Sequence, residues 1–275
     1  MTAMPAANPF DLTGRVAVVT GGTGVLGGQM AEGLARAGAR VAVLGRRRDA
    51  GEERAAALRE TGAEAMALAA DVLDEGALRA ARDEVVGRWG RVDILINAAG
   101  GNVARARTDG VPPFGMPMDA FDEVVKLNLH GSVAPSLMFG AAMAEQGKGS
   151  IVNISSMAAM QAISGVLGYS VAKAAIDNFT KWLAVDLARK CGAGLRVNAI
   201  APGFFLAHQN RGVLVNEDGS YTDRAKTVIA RTPMGRFGAP EELIGAVVFL
   251  CSDAASFVTG TVLPVDGGFS AFSGV

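Results

Sequence analysis

Three polar residues stand at a spacing that suits acid–base chemistry on a carbonyl group. Tyr169 and Lys173 are four residues apart, which places both side chains on one face of a helix. A free tyrosine has a pKa of about 10, and a nearby ammonium group should stabilise the phenolate and lower that value. Tyr169 would then exchange a proton near neutral pH. Ser156, at the end of a predicted strand, would donate a hydrogen bond to the substrate oxygen as charge develops.

A glycine-rich turn, 20–27 (TGGTGVLG), follows a β-branched run and opens a helical segment. Glycine permits positive φ and lets backbone N–H groups approach a pyrophosphate at a helix N-terminus. This context favours a dinucleotide-binding turn over a tight turn that binds nothing. The residues expected to contact the cofactor here are Gly21, Thr23, Gly24, Val25 and Leu26.

The end of the second predicted strand bears on which dinucleotide binds. NAD-binding folds carry an acidic residue there, which holds the ribose 2′-OH. Gly45 stands at that place in this sequence, and Arg46 is the first of three arginines that follow. An arginine beside a small residue favours a 2′-phosphate through a charge-assisted contact, although the three arginines could simply solvate a helix start. The sequence predicts a slight preference for NADP(H) over NAD(H), with Arg46 as the discriminating residue.

Strand and helix patterns alternate along the chain. Short apolar runs predict strands at 15–20, 40–45, 65–70, 92–97, 150–155, 195–200 and 261–265. Helical patterns extend from the glycine-rich turn to about residue 38 and cover 49–61, 74–89 (with Asp74 as N-cap), 118–146, 169–190 and 240–251. This alternation implies right-handed crossovers and a parallel sheet. The expected fold is a single-domain α/β Rossmann fold over 1–275, a doubly wound parallel sheet of about seven strands with helices on both faces.

One long stretch, 203–238, reads as irregular and follows the sixth predicted strand. Open α/β sheets bind ligands beyond the carboxyl ends of their strands. A long loop at that position is more often a lid or a substrate wall than a linker. We therefore expect 203–238 to be a substrate loop or lid within the domain.

Composition argues against several classes of partner. The formal net charge of −1 gives no electrostatic reason to expect nucleic acid or an anionic membrane. The two cysteines are far apart and only two histidines occur, so no metal site is expected and both thiols should be free. The first residues do not resemble a signal peptide, and no apolar run reaches the roughly 20 residues of a membrane span. A cytoplasmic enzyme with a small-molecule substrate is the expectation.

These residues resemble the short-chain dehydrogenase/reductase superfamily over nearly the whole chain. The motifs are Thr20-Gly21, Asn97-Ala-Ala-Gly100, Asn128, Ser156, Tyr169-x-x-x-Lys173 and Pro202-Gly203. The resemblance implies an NAD(P)-dependent oxidoreductase whose catalytic residues are Asn128, Ser156, Tyr169 and Lys173, with Asn128 holding a water that links Lys173 to solvent. It also implies cofactor contacts from Asp71, Val72, Asn97, Ala98, Gly100, Tyr169, Lys173, Pro202, Gly203 and Phe205. Val25 departs from the pattern, because a glycine is usual there.

Further motifs resemble a narrower group, the D-mannonate oxidoreductase (fructuronate reductase) type. They include Ala99-Gly-Gly-Asn102, Gln209-Asn-Arg211 and Asp266-Gly-Gly-Phe-Ser-Ala-Phe-Ser-Gly274. This likeness implies hydride transfer between NAD(P)H and a sugar-acid carbonyl, D-fructuronate/D-mannonate first of all. A hexuronate carries a carboxylate, which arginine binds bidentately. The expected substrate residues are Asn102, Ser156, Asn210 and Arg211, with Arg105 as second choice for the carboxylate.

Other interpretations remain open. A 3-oxoacyl thioester reductase or a gluconate or polyol dehydrogenase would use the same catalytic residues. A dinucleotide sensor without catalysis is disfavoured, since sensing needs no proton relay. Superfamily members commonly form tetramers through two long helices, which implies a homo-oligomer, tetramer or dimer. Phe179 and Trp182 on the Tyr-Lys helix would serve that interface or the core.

Overall fold

The computed structural model describes residues 8–109, 112–206 and 208–274. Its centre is a parallel sheet of seven strands in the order β3-β2-β1-β4-β5-β6-β7. The strands are β1 (Val16–Thr20), β2 (Arg40–Gly45), β3 (Ala65–Ala69), β4 (Ile94–Asn97), β5 (Gly149–Ile154), β6 (Leu195–Pro202) and β7 (Val262–Val265). The predicted doubly wound fold is confirmed, and the strand order reverses between β1 and β4.

The central strands are apolar because both of their faces are covered. Every residue of β1, β5 and β6 is buried, as parallel strands between helical layers require. Alternate side chains point to opposite faces, so Val19 and Val18 belong to different core clusters. The edge strand β7 is only partly buried.

Helices cover both faces of the sheet. They are α1 (Val25–Arg36), α2 (Arg48–Glu60), α3 (Glu75–Trp89), α4 (Met118–Val125), α5 (Gly131–Gln146), α6 (Leu167–Lys190), α7 (His208–Leu214), α8 (Asp223–Arg231) and α9 (Ile244–Cys251). Helices α1, α2 and α9 share one core cluster, and α3, α5 and α6 share the other. Asp74 caps α3 as predicted, because its Oδ1 accepts a hydrogen bond of 3.0 Å from the Ala77 N–H.

The helix predicted over 118–146 is divided by a π-helical segment, Lys126–His130, between α4 and α5. Asn128 lies in this segment and is completely buried. Its Nδ2 donates to the Val124 carbonyl at 2.8 Å and to the Gly101 carbonyl at 2.7 Å. A helical pattern of apolar residues cannot show such a wide turn, and π-helical turns occur frequently at functional sites.

The stretch 203–238 is more regular than its composition suggests, and the expectation of a long irregular loop is wrong in this respect. It contains α7 and α8, which pack around a small cluster of Leu214, Ala225, Val228 and Phe237. The Thr222 hydroxyl caps α8 by accepting a hydrogen bond of 3.2 Å from the Ala225 N–H. These helices make the stretch a second, smaller packing unit beside the carboxyl ends of the strands.

The helix predicted over 240–251 begins with a tight turn. Pro240–Leu243 is a 3-10 helix with proline in its first turn, and α9 continues from Ile244. Within the described ranges, no helix is long and apolar enough to cross a membrane. The same ranges hold no cluster of three or more metal-ligating side chains. Cys191 and Cys251 are both free thiols.

Candidate active site

A cavity of about 390 Å³ lies at the carboxyl ends of the central strands. Loops after β4, β5 and β6 supply most of its wall, and α1, α6, α7 and α8 supply the rest. This is the edge at which open α/β sheets bind their ligands, next to the reversal of strand order. The described lining residues are Leu26, Gly101, Asn102, Val103, Ala104, Arg107, Ile154, Ser155, Ser156, Met157, Ala158, Ile163, Val166, Tyr169, Pro202, Gly203, Phe204, Phe205, Val213, Leu214 and Arg224.

Ser156 and Tyr169 reach this cavity from different elements. Ser156 follows β5, and its Oγ accepts a hydrogen bond of 3.1 Å from the Ala158 N–H. A hydroxyl that accepts from the backbone keeps its own proton to donate. Tyr169 lies in the first turn of α6. Both side chains line the cavity, so a hydroxyl donor and a phenol face the same space.

Lys173 lies one helical turn beyond Tyr169 and is only 4% exposed. Its Nζ donates to the Ile154 carbonyl at 2.7 Å and is 5.4 Å from the centroid of the Tyr169 ring. Burial lowers the pKa of Lys173 from 10.5 to about 8, and the charge of Asp177 opposes that shift. The lysine can donate two further hydrogen bonds.

The pKa of Tyr169 shifts in the opposite direction to the sequence-based expectation. Burial raises this pKa, and the neighbouring Ser156 hydroxyl only partly opposes the rise. The expected lowering of the Tyr169 pKa by Lys173 is therefore not found. The physical reason is desolvation, which disfavours the phenolate.

Asn128 is fixed by the backbone around the cavity. Its Oδ1 accepts a hydrogen bond of 3.1 Å from the Gly101 N–H, and its Nδ2 donates to two carbonyls. A Cβ on Gly100 would lie 2.6 Å from Asn128 Oδ1 and 3.5 Å from Lys173 Nζ. The side chains of Asn128 and Lys173 therefore both lie close to Gly100. Asn128 Oδ1 retains one lone pair for another donor, such as a water.

The N-terminus of α1 fits a dinucleotide pyrophosphate. Gly24 is the N-cap and provides no capping side chain, and the first turn holds no acidic residue. Gly21 has φ of 63°, and a Cβ there would lie 2.7 Å from the Ala98 carbonyl oxygen. Uncapped N–H groups at a helix N-terminus favour an anion. Val25, the departure from the family pattern, is the first helical residue, where positive φ is unnecessary.

The turn is tied to the neighbouring loop by Thr20. Its Oγ1 accepts hydrogen bonds from the Ala98 N–H at 3.1 Å and the Ala99 N–H at 3.2 Å. Thr23 packs against the Cβ position of Gly45, at the end of β2. Arg46 follows there and is exposed. The segments that would hold the pyrophosphate and the adenosine ribose of a dinucleotide therefore lie side by side.

Some of the other expected cofactor residues line the cavity, and others do not. Pro202, Gly203 and Phe205 line the cavity. Asp71 Oδ1 accepts a hydrogen bond of 2.9 Å from the Leu73 N–H, and Val72, 6% exposed, packs against Gly131.

The Asn97 amide is turned into the core and is 1% exposed. Its Nδ2 donates to Ser136 Oγ and to Asn153 Oδ1, both at 2.8 Å, and Asn153 Nδ2 donates to Thr180 Oγ1 at 2.9 Å. The Asn97 side chain thus bonds to α5 and β5 inside the core and does not face a ligand.

The expected substrate residues are only partly brought together. Asn102 lines the cavity with Ser156, and its Nδ2 is buried without a partner in the described chain. Arg105 does not line the cavity, because its guanidinium pairs with Asp119 at an exposed site. Arg211 is exposed and is also absent from the described lining. The side chain of Asn210 lies outside the described residues.

Two arginines outside the expected set of substrate residues line the cavity instead. Arg107 follows β4, and Arg224 is the second residue of α8. They are the only charged side chains in the described lining. Arg107 directly follows the 3-10 helix Ala104–Ala106, which no sequence signal marked. Arg224 was missed because helix α8 was not predicted.

Comparison with known proteins decides the family. The sequence model described as enoyl-(acyl carrier protein) reductase matches residues 23–270. An uncharacterized oxidoreductase of Bacillus subtilis, UxuB, is 46% identical and aligns with 96% of this chain and 98% of its own. The chain belongs to the short-chain dehydrogenase/reductase superfamily. It is an oxidoreductase of that superfamily, acting on CH–OH groups with NAD(P).

Other superfamily members have named substrates or bound ligands. A D-threitol dehydrogenase of Mycolicibacterium smegmatis is 35% identical over 95% of each chain. A structure from Haemophilus influenzae, provisionally named a D-mannonate oxidoreductase and containing NAD, has a TM-score of 0.90 at 40% identity, covering 96% of this chain and 98% of its own. A gluconate 5-dehydrogenase from Burkholderia cenocepacia, in complex with NADP and tartrate, has a TM-score of 0.84 at 34% identity, covering 96% and 98%.

Proposed function

We propose that this oxidoreductase interconverts the carbonyl and alcohol forms of a sugar acid, with D-fructuronate/D-mannonate as the first candidate pair. One observation carries the proposal: Ser156 and Tyr169 share a cavity whose only charged described lining residues are Arg107 and Arg224. Arginine is suited to bind a carboxylate. The names of the similar proteins, which include D-mannonate and gluconate enzymes, support the same substrate class.

In the proposed mechanism, Ser156 and Tyr169 both contact the reacting oxygen. A bound nicotinamide dinucleotide supplies or accepts the hydride. In reduction, the Ser156 hydroxyl donates a hydrogen bond to the carbonyl oxygen, and Tyr169 gives that oxygen its phenolic proton. In oxidation, the Tyr169 phenolate takes the proton of the alcohol.

Lys173 and Asn128 support this proton transfer. The Lys173 ammonium stabilises the phenolate that forms on Tyr169, and its remaining N–H groups are available to a cofactor ribose. Asn128 holds the Gly101 loop and offers an acceptor to a water that returns the proton from solvent. Helices α7 and α8 form the wall that shields the substrate from water, which is the lid role expected of 203–238.

The cofactor preference and the assembly remain parts of the proposal. Arg46 supports NADP(H) slightly over NAD(H), and the similar structures include both dinucleotides. A homo-oligomer, dimer or tetramer, would pair the exposed faces of α5 and α6. Leu137 is 59% and Trp182 is 60% exposed on these helices. Phe179 is partly buried and packs against the core cluster.

A substrate panel with both cofactors tests the function. We expect wild-type protein to reduce D-fructuronate with the highest kcat/KM among D-fructuronate, D-tagaturonate, 5-keto-D-gluconate and acetoacetyl-coenzyme A. Tyr169→Phe removes the proton donor and little volume, so it should abolish turnover while cofactor binding, followed by NAD(P)H fluorescence, stays within about threefold. Turnover by Tyr169→Phe at the wild-type rate would remove Tyr169 from the mechanism.

The apolar part of the wall favours one second candidate, a 3-oxoacyl thioester reductase. Met157, Ile163, Val166, Val213 and Leu214 line the cavity, and an acyl chain would bury against such side chains. Higher kcat/KM for acetoacetyl-coenzyme A than for any sugar acid would establish this alternative.

A further inference from the structure

An ionic cluster of Arg107, Asp109 and Arg224 borders the cavity. Arg107 Nε donates to Asp109 Oδ2 at 2.6 Å, and Arg224 Nη1 lies 3.6 Å from Asp109 Oδ1. Arg224 also donates to Ser164, from Nη1 to Oγ at 3.1 Å and from Nη2 to the carbonyl at 3.0 Å. The cluster therefore joins the loop after β4, the loop before α6 and helix α8.

The two arginines use their donors differently. Both terminal nitrogens of Arg224 are occupied by Ser164 and Asp109. Arg107 uses only Nε, and its Nη1 and Nη2 make no hydrogen bond within the described chain. A guanidinium holds its N–H groups in a rigid fork, and its two Nη atoms can bind one carboxylate bidentately. Arg107 thus offers an unused fork, whereas Arg224 is committed to the protein.

Asp109 gives this fork a fixed direction. A Cβ on Gly165 would lie 2.3 Å from Asp109 Oδ1, so this carboxylate packs directly on the loop before α6. Arg107 and Arg224 hold the pKa of Asp109 below its usual value. The cluster of two guanidinium groups and one carboxylate retains one net positive charge. No acidic side chain belongs to the described lining.

We propose that Arg107 binds the carboxylate of the substrate through its Nη atoms, and that Asp109 and Arg224 are positioning residues for it. The inference rests on the proposed function, and it specifies which of the chain's arginines confers the preference for an acid. It replaces Arg211 and Arg105 in that role, since neither lines the cavity.

A comparison of charged and neutral substrates tests the proposal. D-Mannonate and D-mannonamide have the same carbon skeleton and differ by one charge. Loss of a charge-assisted hydrogen bond should raise the KM of Arg107→Ala for D-mannonate roughly 10- to 100-fold. Its KM for the amide should change less than about threefold, because the amide lacks the charge that the fork recognises. Arg105→Ala is the matched control, two residues away and outside the cavity, and should leave both values unchanged.

Each outcome separates the inference from the proposed function. Equal losses on acid and amide, or no loss on either, would overturn the role of Arg107 while leaving the function standing. If wild-type protein oxidises neither compound, the D-fructuronate/D-mannonate assignment fails, and calorimetric titration of the NAD(P)⁺-bound protein with sodium tartrate then tests Arg107 directly. Tartrate that binds wild-type protein at least tenfold more tightly than Arg107→Ala supports the fork. Equal binding, or none, overturns it.

Discussion

Replacement of Lys173 by methionine should change how stability depends on pH. Lys173 is 4% exposed, and its pKa falls to about 8 in the folded protein because of burial. In the unfolded chain the ordinary value of about 10.4 returns. Between these two pH values the unfolded chain binds a proton that the folded protein does not. Stability therefore rises with pH in this window.

The magnitude follows from the difference between the two pKa values. Each pKa unit corresponds to about 1.4 kcal/mol. Between pH 7 and pH 10.5 the unfolding free energy of wild-type protein should therefore rise by about 3 kcal/mol relative to that of Lys173→Met. Methionine has similar length and does not titrate. The difference between the two proteins therefore cancels the titrating groups that do not interact with Lys173, and the lost hydrogen bond to the Ile154 carbonyl adds only a constant.

Urea unfolding at one protein concentration, at pH 7, 8, 9, 10 and 10.5, measures this difference. Lys190→Met is the matched control on the same helix, because Lys190 is exposed and its pKa is raised by Asp186. That control should stay parallel to wild type from pH 7 to pH 9. Parallel curves for Lys173→Met over the whole range would refute the account of a desolvated lysine beside Tyr169.

Three further predictions address neighbouring features. Asp177→Asn removes the charge that raises the pKa of Lys173, so the pH at which stability begins to rise should lie below 8 in this variant, as measured by the same unfolding series. Gly100→Ala should cost about 1–3 kcal/mol of unfolding free energy through overpacking and abolish turnover, since its Cβ would lie 2.6 Å from Asn128 Oδ1. Gly87→Ala, at an exposed position of helix α3 with nothing within 4 Å of the added Cβ, should instead stabilise slightly. Arg46→Ala should raise KM for NADPH at least about tenfold more than KM for NADH, with Arg48→Ala as control, and equal effects would show that Arg46 does not contact a 2′-phosphate.

The alternation of strands and helices was predictable because each element carries a local signal. Apolar runs mark the buried strands, and Asp74 marks the start of α3 as an N-cap. Helix α8 was also marked, by Thr222 ahead of a charged and apolar repeat, but glycines and charges around it favoured a loop. The π-helical segment left no such signal, since it depends on the contacts of Asn128 with a loop 27 residues earlier in the chain.

The candidate site was predictable where spacing along one element decides geometry. Tyr169 and Lys173 share a helix, and Ser156 ends a neighbouring strand, so the sheet brings them together. The arginines were not predictable in the same way. Arg107 and Arg224 meet through Asp109 and Ser164, across segments whose relative placement depends on tertiary packing. The rise in the pKa of Tyr169 depends on burial, which spacing does not reveal.

The hydrogen bond between Asn97 and Asn153 has a consequence for how the chain finds its fold. These residues are exact neighbours in the pairing of β4 with β5. The other paired residues of β4 are isoleucine or leucine, which would tolerate a sliding partner strand. A shift by one position would separate the two buried amides and leave Asn153 Oδ1 without the hydrogen bond from Asn97 Nδ2, at a cost of about 1–3 kcal/mol. The hydrogen bond between the two amides therefore favours the native register of β4 with β5 over shifted registers as the sheet assembles. Aliphatic side chains do not distinguish registers in this way.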